Sequence, residues 1–106
     1  MVYKFDETNF EAEVLQSDIP VFVDFYADWC GPCKMMAPVL ERLSVTYEGR
    51  VKIGKINVDD CPELAEKYNV MSIPNMVLFK DGAEADRQIG ACQPAALARK
   101  FDAVLG

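Results

Sequence analysis

The chain has 106 residues, 51% hydrophobic and 26% charged, which suits one compact domain over residues 1–106 and excludes a disordered chain or a small disulfide scaffold. A formal charge of -6 with only 11 basic residues argues against a nucleic-acid backbone or an anionic membrane as partner. The absence of histidine removes Ser-His and Cys-His nucleophile activation and every His-containing metal site. No apolar run is long enough for a membrane span, and Met1-Val2-Tyr3-Lys4-Phe5-Asp6 lacks the basic and apolar stretches of a signal peptide, so a cytoplasmic location is expected. In such a reducing compartment the four cysteines are thiols, metal ligands or a redox pair rather than structural staples.

After a short apolar start, Thr8 and Glu11 fit a capping box and Phe10 and Val14 share a face, which predicts a helix ending near Ser17-Asp18. Residues 21–27, Val-Phe-Val-Asp-Phe-Tyr-Ala, are apolar on both alternating faces, the pattern of a strand buried in mid-sheet. Asp24 interrupts that run and points the same way as Phe22 and Tyr26. A carboxylate there is costly to bury without a partner.

From Pro32 the period becomes helical, with Cys33, Met36, Ala37, Leu40, Leu43 and Tyr47 on one side until Gly49 stops it. Pro38 should kink this helix, because its nitrogen cannot bond the carbonyl of Lys34. A strand over Val51–Val58 completes a crossover unit with parallel pairing. A short helix over 62–68 follows, then strands Met76–Lys80 and Glu84–Ile89 around the tight-turn pair Asp81-Gly82. Pro94–Leu105 closes the chain as a helix with Leu97, Phe101, Val104 and Leu105 facing inward. The result is an α/β fold, a mixed sheet of about five strands flanked by about four helices.

Cys30 and Cys33 bracket Gly31-Pro32 where the buried strand turns into the helix. By itself a CxxC is half of a zinc site, a structural disulfide or a dithiol switch. A zinc site would need Cys61 and Cys92 as its other ligands, and neither belongs to a second CxxC. The helix start favours the switch: unpaired backbone N–H groups and the positive end of the helix dipole stabilise a thiolate on Cys30, the expected nucleophile. Cys33, one turn further in and facing the core, should act second. Gly31 permits close backbone approach, and Pro32 stiffens the turn while removing a donor that the first helical turn does not need.

Trp29-Cys30-Gly31-Pro32-Cys33-Lys34, preceded by Val23-Asp24-Phe25 and followed by Ala37-Pro38, resembles the active-site signature of the thioredoxin family. Lys55-Ile56-Asn57-Val58-Asp59, Ile73-Pro74, Phe79-Lys80-Asp81-Gly82 and Gly90-Ala91 extend the resemblance in order along nearly the whole chain. It implies a thioredoxin fold and a protein-disulfide reductase with Cys30 attacking, Cys33 resolving, Asp24 a buried proton-transfer group and Lys55 its neighbour. It also implies a cis Ile73-Pro74 bond, a rim of Trp29 and Gly90-Ala91 for an extended substrate segment, and no bound cofactor beyond the redox-active Cys30-Cys33 disulfide. Disulfide-containing proteins would be the substrates, a thioredoxin reductase the electron donor, and the working form a monomer. If Asp24 is buried, desolvation raises its pKa and a nearby Lys55 partly opposes that.

Two other functions use the same residues, a disulfide oxidant or isomerase and a non-catalytic binding or processivity subunit. Pro32 and the lack of a secretion signal argue against the first. Tyr26, Met71-Ser72 and Asn75 depart from the commonest family pattern, where a tryptophan, a more basic approach and a threonine stand, and these changes bear on partner preference. Cys61 and Cys92 are extra: the first reads as a small buried residue, the second as an oxidisable thiol near the rim.

Overall fold

In the computed structural model, which describes residues 1–106, the apolar run around Asp24 forms β2 (Val21–Tyr26). It is the middle strand of five, in the order β1-β3-β2-β4-β5. β3 (Lys52–Asn57) pairs parallel to it on one side and β4 (Asn75–Lys80) antiparallel on the other. Such a strand has no solvent-facing side, which is why both of its faces carry apolar residues. β5 (Ala83–Ile89) follows β4 through Asp81-Gly82, both at positive φ (53° and 79°), the geometry of a two-residue hairpin turn.

Two cores sandwich the sheet. Phe22, Ile53, Met76 and Leu78 pack under α1 (Gly31–Thr46) and α3 (Pro94–Leu105), together with Met36, Leu40, Leu43, Leu97 and Phe101. Val21, Val23, Phe25, Ile56, Val77 and Phe79 pack on the other side with Phe5, Phe10, Val14 and Cys61, beside α2 (Pro62–Lys67). The period-two alternation of β2 therefore sends Phe22 and Asp24 to the α1 face.

Several local expectations give way to competing bonds. Thr8 does not cap a helix: its N–H and hydroxyl both donate to Asp6 Oδ1, at 2.8 and 2.6 Å, so the aspartate organises the turn. The helical segment that follows, Glu11–Leu15, is wound as a π-helix, with Gln16 N–H donating to the Glu11 carbonyl at 3.0 Å. Pro38 is carried within α1, which runs on to Thr46. Ala37 lies at the helix surface and Leu105 is 37% exposed, whereas Leu97 and Phe101 are fully buried. Leu105 is the last residue of the helix.

A two-residue strand, β1 (Tyr3–Lys4), pairs parallel with β3 and escapes any periodicity reading. It delivers Phe5 onto Gly54 of β3, where an added Cβ would run into the Phe5 ring. Phe5 is itself buried in the core on that face. Gly54→Ala is therefore expected to destabilise the protein by roughly 1–3 kcal/mol through overpacking. The check is a urea titration; an unchanged midpoint would mean that the ring moves aside freely.

Candidate active site

β2 ends at Tyr26, and Cys30 N–H closes the turn to α1 by donating to the Ala27 carbonyl at 3.2 Å. Cys30 is the N-cap of α1: its Sγ accepts the Cys33 backbone N–H at 3.2 Å, satisfying one of the orphan donors of the first turn. Gly31 and Pro32 occupy the first two helical positions and are exposed. Cys30 and Cys33 are joined as a disulfide, with their Cα atoms 5.2 Å apart. Both cysteines are buried in this oxidised form, not Cys33 alone, because Tyr26, Ala27, Val58 and Ile73 pack against the pair.

The bond between Ile73 and Pro74 is cis, and the Ile73 carbonyl oxygen stands 3.9 Å from Cys30 Sγ. Gly90 N–H donates to the Pro74 carbonyl at 2.8 Å, which brings Gly90-Ala91 beside that loop. Trp29 is 70% exposed and its Nε1–H donates to Asp59 Oδ2 at 2.9 Å. With Val58, Val70, Met71, Ser72 and Ile73 it lines an open apolar groove of about 380 Å³ next to the sulfurs. The Asp59 anchor is absent from the reading of the sequence, although the strand motif ending in that residue is part of it.

Asp24 is 3% exposed, and its Oδ1 has no hydrogen-bond partner. It shares a cavity of about 90 Å³ with Cys33, Tyr26, Ala37, Leu40, Glu41, Lys55 and Val2. Burial pushes its pKa up to about 7, and the positive charge of Lys55, its direct neighbour across the parallel β2–β3 pair, pulls the other way. Lys55 is not ion-paired with Asp24; its Nζ lies over the Tyr26 ring, 4.9 Å from the centroid.

The remaining singled-out residues separate. Asn75 is buried beside Pro74, and its Oδ1 accepts from Arg87 Nη1 at 3.2 Å; that guanidinium also makes a bidentate pair with Glu84. Cys61 and Cys92 are free thiols on opposite faces of the sheet, so they cannot join the pair in one metal site. Burial raises the pKa of each, which makes both less reactive than an ordinary thiol.

A disulfide capping the helix that leaves the central strand, faced by a cis-proline loop and underlain by a buried carboxylate, defines a thiol-disulfide exchange centre. The thioredoxin family model matches residues 1–103. Thioredoxin C-2 of Corynebacterium nephridii is 49% identical over 96 residues, covering 91% of this chain and 89% of the relative. Thioredoxin 1 of a Nostoc species is 43% identical, covering 91% and 90%, and the thioredoxin of Rickettsia bellii is 46% identical, covering 86% and 87%. The chain belongs to the thioredoxin family and is a thiol-disulfide oxidoreductase of the protein-disulfide reductase type.

The raised pKa of Asp24 fixes the sign of its effect on stability. Between the unfolded value of about 3.9 and about 7 in the folded protein, the native state binds more protons. Stability contributed by this site is therefore lost as pH rises through that window, and above it the penalty is constant. Asp24→Asn is expected to raise the melting temperature of the oxidised protein at pH 8 and to leave it nearly unchanged at pH 4. Equal shifts at both pH values, followed by calorimetry, would refute burial of the charge as the cause.

Proposed function

We propose that residues 1–106 act as one thioredoxin domain that reduces protein disulfides by two thiol-disulfide exchanges, with Cys30 attacking and Cys33 resolving. The observation that carries this order is the N-cap: the Cys30 sulfur receives the Cys33 N–H at the positive end of α1, an arrangement that favours a thiolate at Cys30 once the pair is reduced. The substrate segment lies extended across Ile73-Pro74, beside Gly31-Pro32 and within the rim of Trp29 and Gly90-Ala91, with the Ile73 backbone as its pairing edge.

In the first step the Cys30 thiolate attacks a substrate sulfur; a Cys30-substrate mixed disulfide forms and one substrate thiolate leaves. In the second, Asp24 accepts the Cys33 proton through the shared cavity, directly or through one water, and the Cys33 thiolate attacks Cys30 Sγ. The mixed disulfide breaks, the second substrate thiolate departs, and the Cys30-Cys33 disulfide is left. Two electrons have passed from the protein to the substrate. A near-neutral pKa suits Asp24 to this task.

Restarting the cycle takes two electrons from outside, supplied by a thioredoxin reductase; the chain itself binds no cofactor and works as a monomer. The free, unactivated thiols Cys61 and Cys92 fit a reducing compartment such as the cytoplasm.

Insulin reduction with a reductase or dithiothreitol as donor tests the assignment. Cys30→Ser is expected to abolish turnover, and Cys33→Ser to attack once and accumulate mixed disulfides on Cys30, detected by mass spectrometry. Adducts that collect on Cys33 in the Cys30→Ser protein, with none on Cys30 in the converse, would reverse the roles. A double serine variant that retains full cellular activity would favour the non-catalytic binding subunit.

A further inference from the structure

Lys55 and Asp24 are directly paired in register on adjacent parallel strands, so both side chains leave the sheet on the same side. They line the same cavity, yet no ion pair closes between them, and Asp24 Oδ1 is left without a partner. The ammonium lies instead over the face of Tyr26, two residues after Asp24 on the same strand and on the same side. An ammonium at the edge of a small half-open cavity would otherwise extend into water, where its solvation is better and its rotamers are free. The ring face offers the attraction that keeps it in place.

We infer that Tyr26 is a positioning residue for the Asp24 carboxylate: its ring holds the Lys55 ammonium at the cavity, close enough to act on Asp24 and too far to neutralise it as a salt bridge. Because the attraction is to the ring face, phenylalanine substitutes for tyrosine and an aliphatic side chain does not. This inference rests on the reading of Asp24 as the proton acceptor for Cys33, and it adds the device that sets the charge beside that acceptor.

The groups facing Asp24 from the elements packed around it are few. Tyr26 comes from β2, Lys55 from β3, Cys33 and Glu41 from α1, and the neutral Met76 from β4. Around Tyr26 stand Asn57 and the carboxylates Asp28 and Asp60. In the oxidised protein Cys33 does not titrate, which leaves Lys55 as the cation of the cavity and Glu41 as its exposed second carboxylate.

The test is the titration of the Asp24 carboxyl carbon by NMR in the oxidised protein, in a double-mutant cycle. Lys55→Met removes the cation, and the Asp24 midpoint is expected to rise by roughly half a pH unit or more. Tyr26→Leu should raise it in the same direction, Tyr26→Phe should leave it at the wild-type value, and the upward effect of Tyr26→Leu should be lost in the Lys55→Met background. The cycle matters because any water admitted with loss of the ring acts on the midpoint equally in both backgrounds, so the difference between them isolates the cation. A Tyr26→Leu effect on the midpoint that is the same with and without Lys55, or a Phe variant that behaves like Leu, would each overturn the inference. Stopped-flow resolution of a preformed mixed disulfide keeps the two readings apart. A midpoint that moves as expected while the pH profile of resolution stays fixed would sink Asp24 as the base and leave the placement of Lys55 standing.

Discussion

The chemistry of this protein depends on the register of one strand. β2 is hydrogen-bonded on both edges and covered on both faces by apolar residues, so a change of its register would carry its one charged side chain, Asp24, from the edge of one core into the other. That constraint places Asp24 beneath α1, opposite Lys55, and ends the strand at Tyr26, where the chain turns into the helix that carries the sulfurs. Burial of the carboxylate and placement of the disulfide are two results of the same alternation. A slip by one residue would send Asp24 among Phe5, Ile56 and Val77, on the face turned away from α1.

Burying that carboxylate opposes folding, and the surroundings show how the cost is tolerated. Asp24 sits at the end of the apolar face rather than at its centre, where a small cavity opens and Lys55 lies within range. Full pairing with Lys55 would remove much of the penalty and would also hold the group ionised far below neutral pH, with little tendency to take a proton. The observed compromise leaves one oxygen unpartnered and a pKa near neutrality. The result is a buried group that changes its charge near neutral pH, at a cost in stability.

Much of this was legible in the chain because it rests on short-range rules. The apolar run broken by Asp24, the switch of period at Pro32 and the Asp81-Gly82 turn each report backbone geometry directly, and each appears where its pattern indicates. What escaped depends on partners distant in sequence or on contests between equal local signals. β1 is two residues long and exists only because β3 is there to pair with it. Thr8 could cap a helix or donate to Asp6, and the nearer acceptor won. The bonds from Trp29 to Asp59 and from Arg87 to Asn75 join residues 30 and 12 positions apart, and no residue pattern announces them.

The departures from the common family pattern acquire a structural logic when their neighbours are taken into account. Asn75 replaces a small hydroxyl beside Pro74 with an amide long enough to reach Arg87, and so ties the loop to β5 through a guanidinium already fixed by Glu84. Met71, 91% exposed, extends the apolar wall that Trp29 begins, so the groove beside the sulfurs gains contact area without a positive charge. Tyr26 keeps an aromatic face toward Lys55 while its hydroxyl end lies near Asn57, Asp28 and Asp60. None of the three alters a sulfur or the carboxylate. Each changes what surrounds them, at the loop, the groove and the cavity, where a thiol-disulfide centre can vary its partners and its proton affinity while the exchange reaction itself stays the same.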